Sequence, residues 1–129
     1  MLGKRDATPM IAVKDLDRAR KFYEDKLGLK EVDDFGEGFM LKSGDTQLSV
    51  YRSEFAGTNK ATAVSFPVPA DGFDSEVAAL RAKGVTFQTF EAEGLSWDDG
   101  VASYGDTYRS VWFEDPDGNI LNVVANPEA

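Results

Sequence analysis

The sequence predicts an α+β fold of two βαβββ modules, with the strands forming a cup-shaped mixed sheet and the helices outside it. Three observations carry this. The order strand, helix, three strands occurs twice in 129 residues. The two helical patterns share one length and one stop signal, Asp15 to Gly28 and Asp71 to Gly84. The strand-like runs are two-faced, bulky on one parity and small or polar on the other, as a sheet packed on one side demands.

Taken in order, Thr8 to Val13 reads as a strand, and Asp15 follows as an N-cap whose carboxylate can accept a free backbone N–H of the first helical turn. Leu16, Ala19, Tyr23 and Leu27 recur at helical spacing until Gly28. Lys30–Phe35, Gly38–Lys42 and Thr46–Arg52 are strand-like, and Ser43-Gly44-Asp45 is turn material. Ser53–Lys60 lacks apolar periodicity and reads as a connection.

The pattern then restarts. Ala61–Val68 is strand-like, Pro69 to Asp74 opens a helix, and Phe73, Val77 and Leu80 line one face of it. Val85–Phe90 reads as the next strand, followed by an acidic loop, Glu91–Asp106, that holds Trp97 and Tyr104. Tyr108–Glu114 and Ile120–Ala125 flank Asp115-Pro116-Asp117-Gly118-Asn119, a hairpin turn whose Pro presets φ. The organisation expected is one domain over 1–129, with module one at 7–53, a linker at 54–60 and module two at 61–126.

Composition narrows the chemistry. Hydrophobic residues are 42% and charged residues 29%, a globular balance. No apolar run reaches the roughly 18 residues of a membrane span, and the first residues lack an apolar secretory core. With 0 Cys, neither disulfides nor thiolate chemistry arise, which fits a cytoplasmic protein. The formal charge of -9 repels nucleic acid, so neither nucleic acid nor membrane is an expected partner. With 0 His, catalytic triads and imidazole metal sites are excluded.

Parity identifies a candidate pocket. Ile11, Val13, Leu48, Val50, Val64, Phe66, Leu121 and Val123 form the bulky faces, which need helices to cover them. Thr8, Ala12, Gln47, Ser49, Ala61, Ala63, Ser65 and Asn122 form the opposite faces, too small for a packed core and too uncharged for a solvated surface. Such a face is expected to line a ligand cup, with Thr8, Ser49, Tyr51, Ala63 and Asn122 as ligand-binding candidates. Trp97 joins them because it sits in a loop-like acidic stretch, where a structural Trp is unexpected.

Two segments resemble the glyoxalase/bleomycin-resistance/dioxygenase (vicinal oxygen chelate) superfamily. One is Ile11-Ala12-Val13-Lys14-Asp15-Leu16-Asp17-Arg18-Ala19, with Phe22-Tyr23 and Leu27-Gly28-Leu29; the other is Trp112-Phe113-Glu114-Asp115-Pro116-Asp117-Gly118-Asn119-Ile120-Leu121. The resemblance implies paired βαβββ modules, commonly completed in a homodimer, and metal ligands on several cup-facing strands. Matched by motif, those ligands fall on Thr8, Ser49, Ala63 and Asn122. None is His, Asp or Glu, and a divalent transition metal needs imidazole or anionic donors. The reading therefore expects no metal and no cofactor.

The expected function is binding of a small aromatic or cationic molecule, as in drug-sequestering relatives, with Phe39, Tyr51, Phe90, Trp97, Tyr104 and Trp112 as available rings. Whether the chain is also an enzyme stays open. The alternatives are a glyoxalase-like lyase or dioxygenase-like enzyme with unconventional metal ligands, and a metal-free isomerase or lyase using Tyr or a carboxylate.

Overall fold

The computed structural model describes residues 1–126; residues 127–129, the end of the single domain read from the sequence, lie outside the described residues. Strand β1 is Met10–Val13 and helix α1 is Leu16–Lys21, continued by a wider π turn over Phe22–Lys26. Asp15 caps α1 by accepting the Arg18 N–H at 3.1 Å. In the π turn the Leu27 N–H reaches back to the Phe22 carbonyl. Consecutive Phe22 and Tyr23 are both buried there.

Strands β2 (Lys30–Asp34), β3 (Gly38–Ser43) and β4 (Thr46–Arg52) complete the first sheet in the order β1-β4-β3-β2, with β1 parallel to β4 and the rest antiparallel. The second half repeats the scheme. It contains β5 (Thr62–Pro69), α2 (Phe73–Ala82), β6 (Ser96–Asp98), β7 (Val101–Tyr104), β8 (Tyr108–Glu114) and β9 (Ile120–Asn126). Its sheet runs β5-β9-β8-β7-β6, again with first and last strands parallel.

Two expectations about the second half are corrected. Val85–Phe90 is not a ladder strand: its one pairing is a bridge between Gln88 and Trp112. The stretch read as a loop, Glu91–Asp106, instead contains the β6–β7 hairpin. Its turn is Asp99-Gly100, both at positive φ (50° and 81°), and an Asp-Gly pair of this kind closes two-residue hairpins whose twist suits the flanking strands. Trp97 therefore lies on a strand, paired with Ala102, and not on a loop.

The bulky faces converge on one core. Ile11, Val13, Leu48, Val50, Leu121 and Val123 are buried with Phe22, Phe73, Val77 and Leu80 of the helices, while Val64 and Phe66 pack against them half-buried. Helix α1 reaches across to the second sheet, with the Phe22 and Phe113 rings 6.5 Å apart.

Polar groups fix that crossing. Asp115, 4% exposed, accepts the backbone N–H groups of Asp117 and Asn119 on Oδ1, and the Tyr23 hydroxyl (2.7 Å) and the Asn119 amide on Oδ2. Asn119 Nδ2 also donates to the Ala12 carbonyl, and Arg18 pairs with Asp117 at 2.9 Å. Burial, followed by the Asp115 charge, raises the Tyr23 phenol above its ordinary range. The connection lies against the same turn. Gly57, at φ +76°, leaves no room for a Cβ beside the Asp117 carbonyl.

Candidate functional site

The face of the second sheet turned away from the helices carries an aromatic floor. Register aligns Gln88, Trp112, Asn122 and Ser65 in one row across the segment before the hairpin, β8, β9 and β5. The next row is Trp97, Ala102, Ser110, Val124 and Pro67. Strand pleating places these residues opposite Val111, Phe113, Leu121 and Val123, which are buried in the core.

Three rings touch on this face. Phe90 meets Trp97 edge-on at 5.2 Å and Trp112 edge-on at 4.9 Å, and the two indoles are 6.1 Å apart. Such edge-to-face pairs align the positive ring edge with the negative face of the neighbour. Trp112 Nε1 donates to Thr62 Oγ1 at 3.1 Å, which stretches the indole across β9. Beneath, Asn122 donates to Ser110 Oγ and Ser110 to the Val123 carbonyl; both side chains are buried, and Asn122 Oδ1 has no partner among the described residues.

Two grooves border Phe90. One, of about 720 Å³, is lined by Lys60, Thr62, Gln88, Phe90, Trp112 and Ile120 among others. The other, of about 530 Å³, runs past Phe90, Glu91, Leu95 and Trp97. A third, of about 580 Å³, follows the free edge of β5, from Ala63 to Val68, toward Pro9, Leu29 and Leu48 of the first module.

The sequence candidates divide accordingly. Asn122 and Trp97 share the aromatic face of the second sheet, while Ala63 is the extra residue at the β5 bulge, exposed and lining the β5 groove. Ser49 and Tyr51 share the corresponding face of the first sheet with Met10 and Ala12, Ser49 buried and Tyr51 half-buried. Thr8 is exposed and precedes β1. None of the three grooves just described is lined by all six.

Phe39 is fully buried, with the Arg20 guanidinium over its ring, so it is not an available ring for a ligand. Phe90 and Trp112 are among the rings the sequence offers a ligand but not among the six, and Thr62 and Gln88 are in neither set. Alternation in Tyr108–Glu114 does oppose Trp112 to Val111 and Phe113, a signal legible in the sequence; Gln88 and Phe90 depend on a single bridge that no periodicity reveals.

Thr8, Ser49, Ala63 and Asn122 offer no imidazole or carboxylate, so a divalent transition metal does not fit them. No group of three or more His, Cys, Asp or Glu placed to hold a metal occurs among the described residues. No helix among them is long and apolar enough to cross a membrane.

The sequence profile described as Glyoxalase/Bleomycin resistance protein/Dioxygenase superfamily matches residues 7–123. Among solved structures, the chain is similar to a glyoxalase/bleomycin resistance protein/dioxygenase from Alicyclobacillus acidocaldarius, at 20% identity and TM-score 0.73, covering 94% of this chain and 90% of that one. A lactoylglutathione lyase from Agrobacterium tumefaciens gives 18% and 0.71, covering 95% and 93%. The fosfomycin resistance protein FosX from Mesorhizobium loti gives 15% and 0.68, covering 95% and 92%. At these identities the structures share the fold. No curated protein matches the chain significantly.

Proposed function

We propose that this chain, which belongs to the Glyoxalase/Bleomycin resistance protein/Dioxygenase superfamily, is a metal-free binding protein that holds a small, ring-bearing molecule on the small-residue faces of its sheets. The observation that carries this reading is the aromatic floor of Phe90, Trp97 and Trp112 on the face that also bears Asn122. Rings of this kind supply contact area with little side-chain entropy to lose. Thr8, Ser49, Ala63 and Asn122 carry no charged metal donor. On this reading Thr8, Ser49, Tyr51, Ala63, Trp97 and Asn122 contribute to ligand binding, in a single domain whose modules, at 7–53 and 61–126, are joined by 54–60.

The protein is further proposed to act as a homodimer in the cytoplasm, in drug sequestration or resistance. Support for pairing comes from apolar side chains left uncovered: Met10 is 59%, Phe35 49% and Phe90 45% exposed. Native mass spectrometry of the purified protein is the direct test, and a co-purified organic molecule is the expected result. The similarity to a lactoylglutathione lyase gives the enzyme alternative its content. Calorimetric titration that finds one tightly bound manganese, zinc, iron or nickel per chain, together with lyase activity that depends on it, overturns the binding reading.

A further inference from the structure

We infer that the groove beside Trp112 selects a planar aromatic ring carrying one anionic group, with the exposed Lys60 of its lining as the counter-charge; this rests on the small-molecule reading above. The groove's volume of about 720 Å³ is in the range of small-molecule sites. Its apolar lining includes Phe90, Trp112 and Ile120, and its uncharged polar residues are Thr62, Thr89 and Gln88. The Trp112 indole is held on two sides, by Thr62 Oγ1 at 3.1 Å and by the edge-on Phe90 ring at 4.9 Å. A flat ring meets a flat surface already in place.

Among the described residues, Lys60 is the only ionisable one lining this groove, and it takes part in none of their ion pairs. The overall charge of -9 argues for a cation at long range. Exposed charges beyond roughly 8 Å are largely screened at physiological ionic strength, however, so the nearest group decides. The carboxylate closest by register is Glu114, across β9 from Thr62, while Glu91 follows Phe90 and lines the adjoining groove. Two strand spacings put Glu114 about 10 Å from Thr62. The groove is thus polarised, with Lys60 near its β5 edge and Glu114 toward the β8 side. A ligand acid group points to β5, and its ring lies over Ile120 and Trp112.

The test uses three probes of one shape, 2-naphthoate, 2-naphthamide and 2-naphthylmethylammonium, titrated into the full chain by calorimetry. Both tryptophans of the chain belong to the aromatic floor, so their emission reports occupancy of this face directly. Naphthoate is expected to bind about fivefold tighter than the amide, the advantage of one partly exposed ion pair, with the ammonium weakest and with a change in emission. Lys60→Met is expected to bring naphthoate to the amide's affinity and leave the amide unchanged. Lys60 is exposed, so this variant keeps the fold, which circular dichroism verifies. Phe90→Ala is expected to weaken all three probes. Tightest binding of the ammonium, naphthoate affinity indifferent to Lys60→Met, or no binding of any probe overturns the inference. A co-purified molecule in the native mass spectrum that naphthoate fails to displace also overturns it, while leaving the small-molecule reading intact.

Discussion

Replacing Tyr23 by Phe deletes one hydroxyl and tests the clamp that brings α1 onto the second sheet. The hydroxyl donates at 2.7 Å to Asp115 Oδ2, and both residues are buried. A hydrogen bond to a charged group contributes about 1.5–3 kcal/mol. Asp115 keeps three other donors in the variant, from Asp117, Asn119 and the Asn119 amide. Its carboxylate is therefore not orphaned, and a loss of about 2 kcal/mol at pH 8 is expected. For a domain of this length that lowers Tm by roughly 6–8 °C.

The pH dependence has a definite sign. Burial first, and the Asp115 charge second, raise the Tyr23 phenol above its ordinary value, so the folded state keeps a proton that the unfolded chain releases above pH of about 10. Stability contributed by the protonated phenol is fully present below that pH and declines as pH rises further, by at most about 1.4 kcal/mol per pH unit. The phenylalanine variant lacks this loss, whereas every other alkaline titration is common to both proteins. Urea unfolding followed by tryptophan emission at pH 8 and pH 11 measures the gap. A difference below about 0.5 kcal/mol at pH 8, or one that does not narrow at pH 11, refutes the assignment of Tyr23 as a buried donor to a charged Asp115.

Gly57→Ala is expected to destabilise by about 1–3 kcal/mol, since φ there is +76° and the new Cβ meets the Asp117 carbonyl; chemical denaturation reads this directly. Leu121→Asp places a charge at a fully buried core position and is expected to abolish the cooperative thermal transition, whereas Val64→Asp, at a half-buried edge position, is expected to leave a folded protein with a lower Tm. Ala63→Trp, on the exposed β5 bulge, is expected to change stability by no more than about 0.5 kcal/mol while blocking any molecule held in the β5 groove; unfolding of this variant with Val64→Asp unaffected inverts the face assignment. Elemental analysis is expected to find no stoichiometric transition metal, and light scattering to report a dimer at micromolar concentration.

Much of this architecture was legible in local pattern. Period-two alternation separated Ile11, Val50, Leu121 and Val123 from Ser49 and Asn122, and all four apolar residues lie in the core. The Asp15 cap and the turn at Asp115–Asn119 came from residue chemistry that acts over a few positions. The hairpin at Asp99-Gly100 is equally local, but the acidic residues around Trp97 mask its short strands in the sequence. What tertiary structure alone decided has long sequence separation. The Tyr23–Asp115 bond spans 92 positions and the Trp112–Thr62 bond 50. The meeting of Phe90 with Trp97 and Trp112 depends on one bridge at Gln88. Composition fixed which chemistry the chain lacks, because a missing residue type is missing in every fold. Which rings share a surface depends on strand order and on how one module crosses the other, and spacing along the chain does not encode that.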